Sequence, residues 1–442
     1  MRARTAIPFR PLVAGPRTMR LWQILNMNVG FFGIQFGFGL QQGFMSPIYK
    51  YLGADDASLP LLWLAGPVTG LLIQPLIGAL SDRTTSRFGR RTPYFVVGAI
   101  LCSACLFALP GSGTLWMAAG LLWVLDAAAN VTMEPYRAFV NDMLPPAQHA
   151  VGFMVQSAFT GLSQTLAYLM PSVLVMLGMH ADRTNAQGVP AAVEAAFIIG
   201  GVVSVASIAW SVYTTRESPV VPDEATSLSL RTAALDVWSA VRDMPATMRQ
   251  LAAMMLFQWY AMFCYWQYIA LSLARTLYGT TNAHDPHFTD ATLLSGRIGG
   301  AYNFVAFVMA FAVLPLLRRV GPARLHAASL LLGGLGIVAV PGITTPWLLI
   351  VPMIGLGIAW ASMMGNPYAM LASSISRERA GVYMGIFNTF IVVPMLIQVL
   401  TVRVFYRLLG NDPRHILLLA GVALCIAAVL AWRVRAPAVL TV

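Results

Sequence analysis

The chain has 442 residues, 58% of them hydrophobic and only 10% charged, with a mean hydropathy of +0.70. A soluble globule carries about 25% charged residues, so this composition excludes a water-soluble body, and with it disordered, collagen-like, nucleic-acid-binding and disulfide-scaffold proteins. The net charge of +11 rests on 28 basic residues of which Lys50 alone is lysine; a phosphate-cradling loop needs a lysine behind its glycines, so the chain reads as an all-α polytopic membrane protein without an ATP-driven motor.

A bilayer-crossing helix needs about 20 mainly apolar residues. The apolar runs predict twelve, at about 21–46, 60–81, 93–111, 114–140, 150–178, 192–214, 247–273, 291–317, 324–343, 345–372, 381–406 and 413–434. The first is long enough to span, which reads as a membrane helix and not a cleaved leader. Residues 1–20 form an N-terminal tail, 21–214 a first set of six spans, 215–246 a polar linker, 247–435 a second set of six and 436–442 a closing tail. Within the linker, Leu228 to Val241 reads either as an amphipathic helix on the membrane surface or as a plain connection. With the N-terminus in the cytoplasm, most of the arginines fall on the cytoplasmic side. The positive-inside rule therefore places both termini there.

Taken in order, span 1 carries Gln35 and Gln41. The turn after span 2 reads Gly78-Ala-Leu-Ser-Asp82-Arg83-Thr-Thr-Ser-Arg87-Phe-Gly89-Arg90-Arg91. It is tight and basic, with one carboxylate, Asp82, able to cap a neighbouring helix N-terminus. Cys102 and Cys105 in span 3 have CxxC spacing, but in an apolar run they are expected to pack rather than bind metal or cycle redox. Span 4 holds Asp126, Asn130, Glu134 and Arg137, and span 5 holds Gln156 and Gln164. Trp259, Tyr260, Tyr265, Trp266 and Gln267 crowd span 7, with Arg275 beyond its end; Asn303 lies in span 8 and Asn388 in span 11. Glu134-Pro135-Tyr136 recurs as Asn366-Pro367-Tyr368, and the basic turn has a weaker copy at Arg318-Arg319-Val320-Gly321. A six-plus-six repeat puts a substrate near the midplane, between halves that rock against each other.

Charges at membrane depth are costly and usually functional. Glu134 and Arg137 are one turn apart and can neutralise each other. Asp126 and Arg137 lie about 20° apart around a helix axis but about 16 Å apart along it, so Asp126 has no counter-ion on its own helix. Its counterpart in the repeat is Ile358, so the carboxylate is a departure from the symmetry. A lone carboxylate in a cavity can take a proton, donate a hydrogen bond to a sugar hydroxyl while it holds that proton, and release it when the cavity opens to water. Asp126 is therefore the expected proton carrier, with a structural carboxylate bonded to another helix as the alternative. Sugars call for amides and carboxylates against their hydroxyls and aromatic faces against their ring C–H groups. Gln35, Gln41, Asn130, Arg137, Gln156, Trp259, Arg275, Asn303 and Asn388 join Asp126 as expected substrate-binding residues. For each of them an interhelical hydrogen bond or a packing role is the alternative.

The turn from Gly78 to Arg91 resembles the signature loop of the major facilitator superfamily. That likeness implies a conformational latch built from Asp82, Arg83, Gly89, Arg90 and Arg91, with Glu134 and Arg137. Further stretches resemble the sucrose–proton symporters among the glycoside–cation symporters. They are Gly33-Ile-Gln35-Phe-Gly-Phe-Gly-Leu-Gln41, Trp63-Leu-Ala-Gly-Pro67, Gln74-Pro75-Leu-Ile-Gly78, Asp126-Ala-Ala-Ala-Asn130, Pro135-Tyr136-Arg137-Ala138-Phe139, and Met384-Gly385-Ile386-Phe387-Asn388 with Ile391-Val392-Val393-Pro394. The resemblance implies the major facilitator fold, 12 transmembrane helices in two pseudo-symmetric six-helix bundles. It also implies proton-coupled uptake of a disaccharide or glucoside, sucrose first among them, across a bacterial cytoplasmic (inner) membrane. Plant members carry a histidine after span 1 where this chain has Asp56, and Arg275 stands here without their acidic neighbours.

A proton-driven multidrug or other small-solute antiporter of the same fold is the alternative. That class carries a Gly-Pro-rich span 5, whereas Val151 to Gln164 here is polar, with Pro171 only near the outer end. An enzyme is not expected. HExxH and G-x-S-x-G motifs are absent, and the six histidines fall in loops or at span ends. The expected partners are a sugar, a proton and the lipid bilayer, with no nucleic acid and no cofactor beyond the coupling proton, acting on a monomer. One unpaired carboxylate with no second acidic ligand beside it points to protons and not sodium.

Overall fold

The computed structural model describes residues 18–84, 86–217, 238–372, 374–375 and 380–434, and their side chains apart from those of 82, 83, 150, 312–319, 372 and 380–382. A bilayer core offers no water to backbone N–H and C=O groups, so a spanning chain must satisfy them internally. Among the described residues regular structure is helical, with one isolated bridge between Thr184 and Pro190. In order the helices are α1 (Leu21–Tyr51), α2 (Leu59–Leu62), α3 (Ala65–Arg83), α4 (Thr92–Ala108), α5 (Leu115–Met143), α6 (Pro146–Met176) and α7 (Ala191–Thr214). There follow α8 (Ala246–Tyr278), α9 (Pro286–Val320), α10 (Pro322–Ala339), α11 (Ile350–Ala372), α12 (Ala380–Leu408) and α13 (Pro413–Trp432). The short α2 leads into α3 to make the second span. All twelve expected spans are present with shifted edges: α1 runs on to Tyr51 and α9 starts at Pro286.

Among the described residues nine helices are apolar and long enough to cross a bilayer on length and composition alone. The others have physical reasons to fall short. The α4 helix has 17 residues. Polar side chains dilute α1 and α8, where Asn26, Asn28, Gln35, Gln41 and Gln42 are buried in the first and Gln258, Gln267 and Ser272 in the second. Both helices are covered along most of their length by neighbours, so they need little lipid-facing surface. That surface comes from residues such as Leu72, Val97, Ile100, Val202 and Leu400, which are exposed. On a soluble protein such a belt would be a liability; against lipid it is the outer wall.

The halves, α1–α7 and α8–α13, meet along α6 with α9 and along α3 with α12. The first seam needs close approach: a Cβ on Gly299 or Gly300 would run into Tyr168 or Leu169 of α6, and one on Gly161 into Phe307 of α9. We call the face that carries the turn after α3 and the α7–α8 connection the linker face, and the opposite one the far face. At the far face the halves are tied. Tyr406 of α12 donates to Asp56 Oδ2 at 3.0 Å and Tyr268 of α8 donates to the Asp56 main-chain oxygen at 3.0 Å, while Lys50 pairs with the same carboxylate. Tyr51 and Thr289 share a hydrogen bond of 3.2 Å, and Arg297 Nε donates to Ser172 Oγ at 3.2 Å. Toward the linker face, Tyr368 of α11 lies within electrostatic reach of Glu134 and Arg137 of α5. There the Arg137 side chain is 48% exposed and Tyr368 is 37% exposed. The facing turns stay accessible.

The internal repeat persists in sequence more than in surroundings. Tyr136 is fully buried and bonded to Met27 and Ser211, while its counterpart Tyr368 reaches solvent. Residues 1–17, residues 218–237 with most of the Leu228–Val241 stretch, and the tail 436–442 lie outside the described residues, as do the side chains of Asp82, Arg83, Arg318 and Arg319.

Candidate functional site

The α5 helix starts at Thr114, whose hydroxyl accepts from Met117 N at 3.2 Å as an N-cap, and twelve residues further in it presents Asp126. That residue is 3% exposed. Its Oδ1 accepts from Gln41 Nε2 of α1 at 2.7 Å, and its Oδ2 has no hydrogen-bond partner among the described residues. Gly66 at the start of α3 faces this oxygen, and a Cβ there would stand 3.5 Å from it. Arg137 donates to Glu134 at 3.2 Å, as the one-turn spacing led us to expect, and that pair lies apart from Asp126. A buried carboxylate usually fills its acceptor sites. This one keeps an oxygen open.

A run of amides leads away from it. Asn130, one turn along α5, donates from Nδ2 to the main-chain oxygen of Asp126 at 2.9 Å and to Thr69 Oγ1 at 3.2 Å. Gln74 Nε2 of α3 donates to Asn130 Oδ1 at 2.7 Å, and Asn388 Nδ2 of α12 donates to Gln74 Oε1 at 2.7 Å. Asp126, Asn130, Gln41 and Asn388 are thus brought into one neighbourhood, which crosses from the first half into the second.

The remaining expected residues are dispersed. Gln35 accepts from Gln164 Nε2 at 3.1 Å, a buried pair joining α1 to α6. Gln156 donates to the Tyr136 main-chain oxygen at 3.4 Å. Asn303 is fully buried in α9, donating to Gly299 O at 3.0 Å, and its Oδ1 has no partner among the described residues. Trp259 packs edge-on to Trp360 of α11, ring centroids 6.1 Å apart, and its buried indole N–H has no partner among the described residues. Arg275 lies beyond the apolar run of span 7, as its sequence position led us to expect. It sits in the last turn of α8 and donates to Gly279 O at 3.1 Å, which closes the helix end, so its position sets it apart from the mid-membrane cluster.

The basic turn is held by two carboxylates that the sequence pattern did not single out. Asp142 at the end of α5 receives Arg90 through two bonds, 2.6 and 3.2 Å, and Arg91 Nε at 2.8 Å. Arg91 also donates to Ser81 Oγ at 2.6 Å. Glu217, just past α7, accepts from the backbone N–H of Arg91 (2.9 Å) and of Thr92 (3.1 Å), and so occupies the N-terminus of α4. Glu217 also packs against Gly89, whose φ of 97° suits glycine. The side chain of Asp82, our expected cap, lies outside the described residues. The carboxylate on the start of α4 is Glu217.

His326, placed by its sequence at a span end, is buried in a polar knot. Its Nδ1 lies 2.8 Å from Ser362 Oγ of α11 and its Nε2 lies 2.9 Å from Gln258 Oε1 of α8. Gln74 and Thr69 were also missed. The only signal was the Gln74-Pro75 motif in α3, since an amide acquires a role of this kind from partners on other helices.

Residues 27–399 match the Major Facilitator Superfamily. Similar proteins include the sucrose transport protein SUT5 of Oryza sativa subsp. indica, 26% identical over 427 residues that cover 84% of this chain and 79% of that one. Proton-associated sugar transporter A of Homo sapiens is 31% identical over 170 residues, covering 35% of this chain and 22% of that one. Among solved structures, the nucleoside transporter NupG matches with a TM-score of 0.64 at 14% identity, covering 94% of this chain and 100% of that one. An inward-facing, unoccupied bacterial homologue of the human lysosomal transporter Spinster matches with a TM-score of 0.65 at 16% identity, covering 94% and 97%. At these identities the structural likeness is one of fold.

Proposed function

Because the chain belongs to the major facilitator superfamily, and is a multi-pass membrane transporter and not an enzyme, we propose that it takes up a sugar together with protons by alternating access. The sugar is a disaccharide or glucoside, sucrose first among them. The names of its relatives, one a sucrose transport protein and one a proton-associated sugar transporter, support the substrate class.

The observation that carries the reading is Asp126. It is buried, without a counter-ion among the described residues, bonded by one amide and open at Oδ2. A group in that state gains most by taking a proton or a hydroxyl donor, and both belong to proton–sugar symport. With the proton on Oδ2, the carboxyl can donate to a sugar oxygen, while Gln41 and Asn130 hold neighbouring hydroxyls. Release to the cytoplasm follows when water reaches the carboxyl from the linker face. The far face is closed here, so the conformation fits the stage at which cargo leaves. By the same reading the linker face is cytoplasmic, the membrane is a bacterial inner membrane and the working unit is a monomer.

Labelled sugar should exchange by counterflow in proteoliposomes. Adding sugar should also alkalinise the medium with potassium as the only added cation. A strict sodium requirement, or no counterflow with any disaccharide or glucoside, overturns the proposal.

A further inference from the structure

The Gln74-Pro75 motif has no part in the mechanism above, yet Gln74 bonds both to Asn130 in its own half and to Asn388 in the other. The other hydrogen bonds described between the halves lie at the far face. A primary amide has an oxygen on one side and an NH2 on the other, so this row of amides has a direction. Asn388 donates to Gln74, Gln74 donates to Asn130, and Asn130 donates to the main-chain oxygen of Asp126. If Gln74 reverses, its oxygen meets the Asn130 oxygen. If Asn130 then reverses to avoid it, its oxygen meets that of Asp126. Low dielectric makes each mismatch expensive. The Asp126 main-chain oxygen anchors the direction of the row, and Gln74 carries that direction to Asn388 in the opposite half.

We propose that Gln74 is a positioning residue that ties the orientation of the Asn130 amide to the contact of α3 with α12. A sugar hydroxyl that donates to Asn130 Oδ1 displaces Gln74 Nε2, and a displaced Gln74 gives up Asn388. Binding in one half loosens a bond to the other at mid-depth. The sugar-sensing part rests on the sugar reading of Asn130; the cross-half part needs only two halves that move.

The test is a double-substitution cycle on the full chain, Gln74→Met, Asn388→Leu and both together, with melting temperature as the folding control. One readout is the half-saturating sugar concentration in proteoliposomes. The other is alkylation, without sugar, of a reporter Thr292→Cys, a fully buried position at the far-face seam, against the same protein without the reporter. Each single substitution removes a bond that sugar must otherwise break, so it should lower half-saturation about three- to tenfold, the value of one hydrogen bond, and speed alkylation several-fold. The double variant should do neither more than Gln74→Met alone. If Asn388 touches sugar directly, its substitution raises half-saturation, and if either residue merely props the fold, the two effects multiply in the double variant; either result makes the proposal wrong. Unchanged alkylation in all three variants overturns the cross-half tie. If the parent takes up no sugar, the sugar reading fails, and the alkylation arm still decides whether Gln74 links the halves.

Discussion

The partner that Asp126 lacks gives substitution there an unusual expected result. In Asp126→Asn, Gln41 still finds an oxygen at the Oδ1 position, while the group can no longer titrate. Uphill accumulation of sugar should collapse, with some binding retained and less sensitive to pH. Removing an unpaired charge from membrane depth relieves a cost of order several kcal/mol, so the melting temperature should not fall. A well-folded Asp126→Asn protein that still concentrates sugar would end the argument for this residue. Asn130→Ala should instead raise half-saturation about tenfold, roughly the effect of losing a good hydrogen bond in a buried site, with the proton-to-sugar ratio unchanged in paired flux measurements. Asp126 was legible in the sequence because a carboxylate in an apolar run is conspicuous by chemistry alone. Gln74 was not, since its role depends on Asn130 and Asn388, 56 and 314 positions away.

The helices followed from apolar length, but what fixes their ends did not. Asp142 and Glu217 look like ordinary carboxylates at span ends, yet the first gathers Arg90 and Arg91 and the second covers the first N–H groups of α4. A carboxylate at a helix N-terminus both accepts hydrogen bonds and faces the positive end of the helix dipole. Glu217→Gln should therefore lower stability by about 1 kcal/mol, read as a lower melting temperature in detergent. Gly89→Ala should cost as much or more, since it forces a Cβ into positive φ and against Glu217. The knot that joins α8, α10 and α11 through His326 is a harder case. Gln258 Nε2 already has no partner among the described residues, so His326→Leu would strand its oxygen too. A loss of about 1–3 kcal/mol is expected, against little change if the imidazole only fills space.

For the molecule as a whole, two halves of six spans could be read from the chain, with a fold that agrees. Which end is closed could not, because that depends on contacts such as those of Asp56 with Tyr268 and Tyr406, residues more than 200 positions away. Removing the tie with Asp56→Asn plus Tyr406→Phe should raise the time spent open at the far face, seen as several-fold faster alkylation at Thr292→Cys. The buried carboxylate without a counter-ion has one more consequence, and it is electrical. An empty carrier with Asp126 ionised moves a net negative charge through the membrane field as it reorients, whereas the carrier loaded with proton and neutral sugar moves none. A full elementary charge crossing the membrane is worth about 2.3 kcal/mol per 100 mV, and a site that shifts only part of the way feels a fraction of that. An interior-negative voltage should therefore hasten the return of the empty carrier and leave the loaded crossing alone. At saturating sugar the maximal rate should rise with voltage wherever that return is slow.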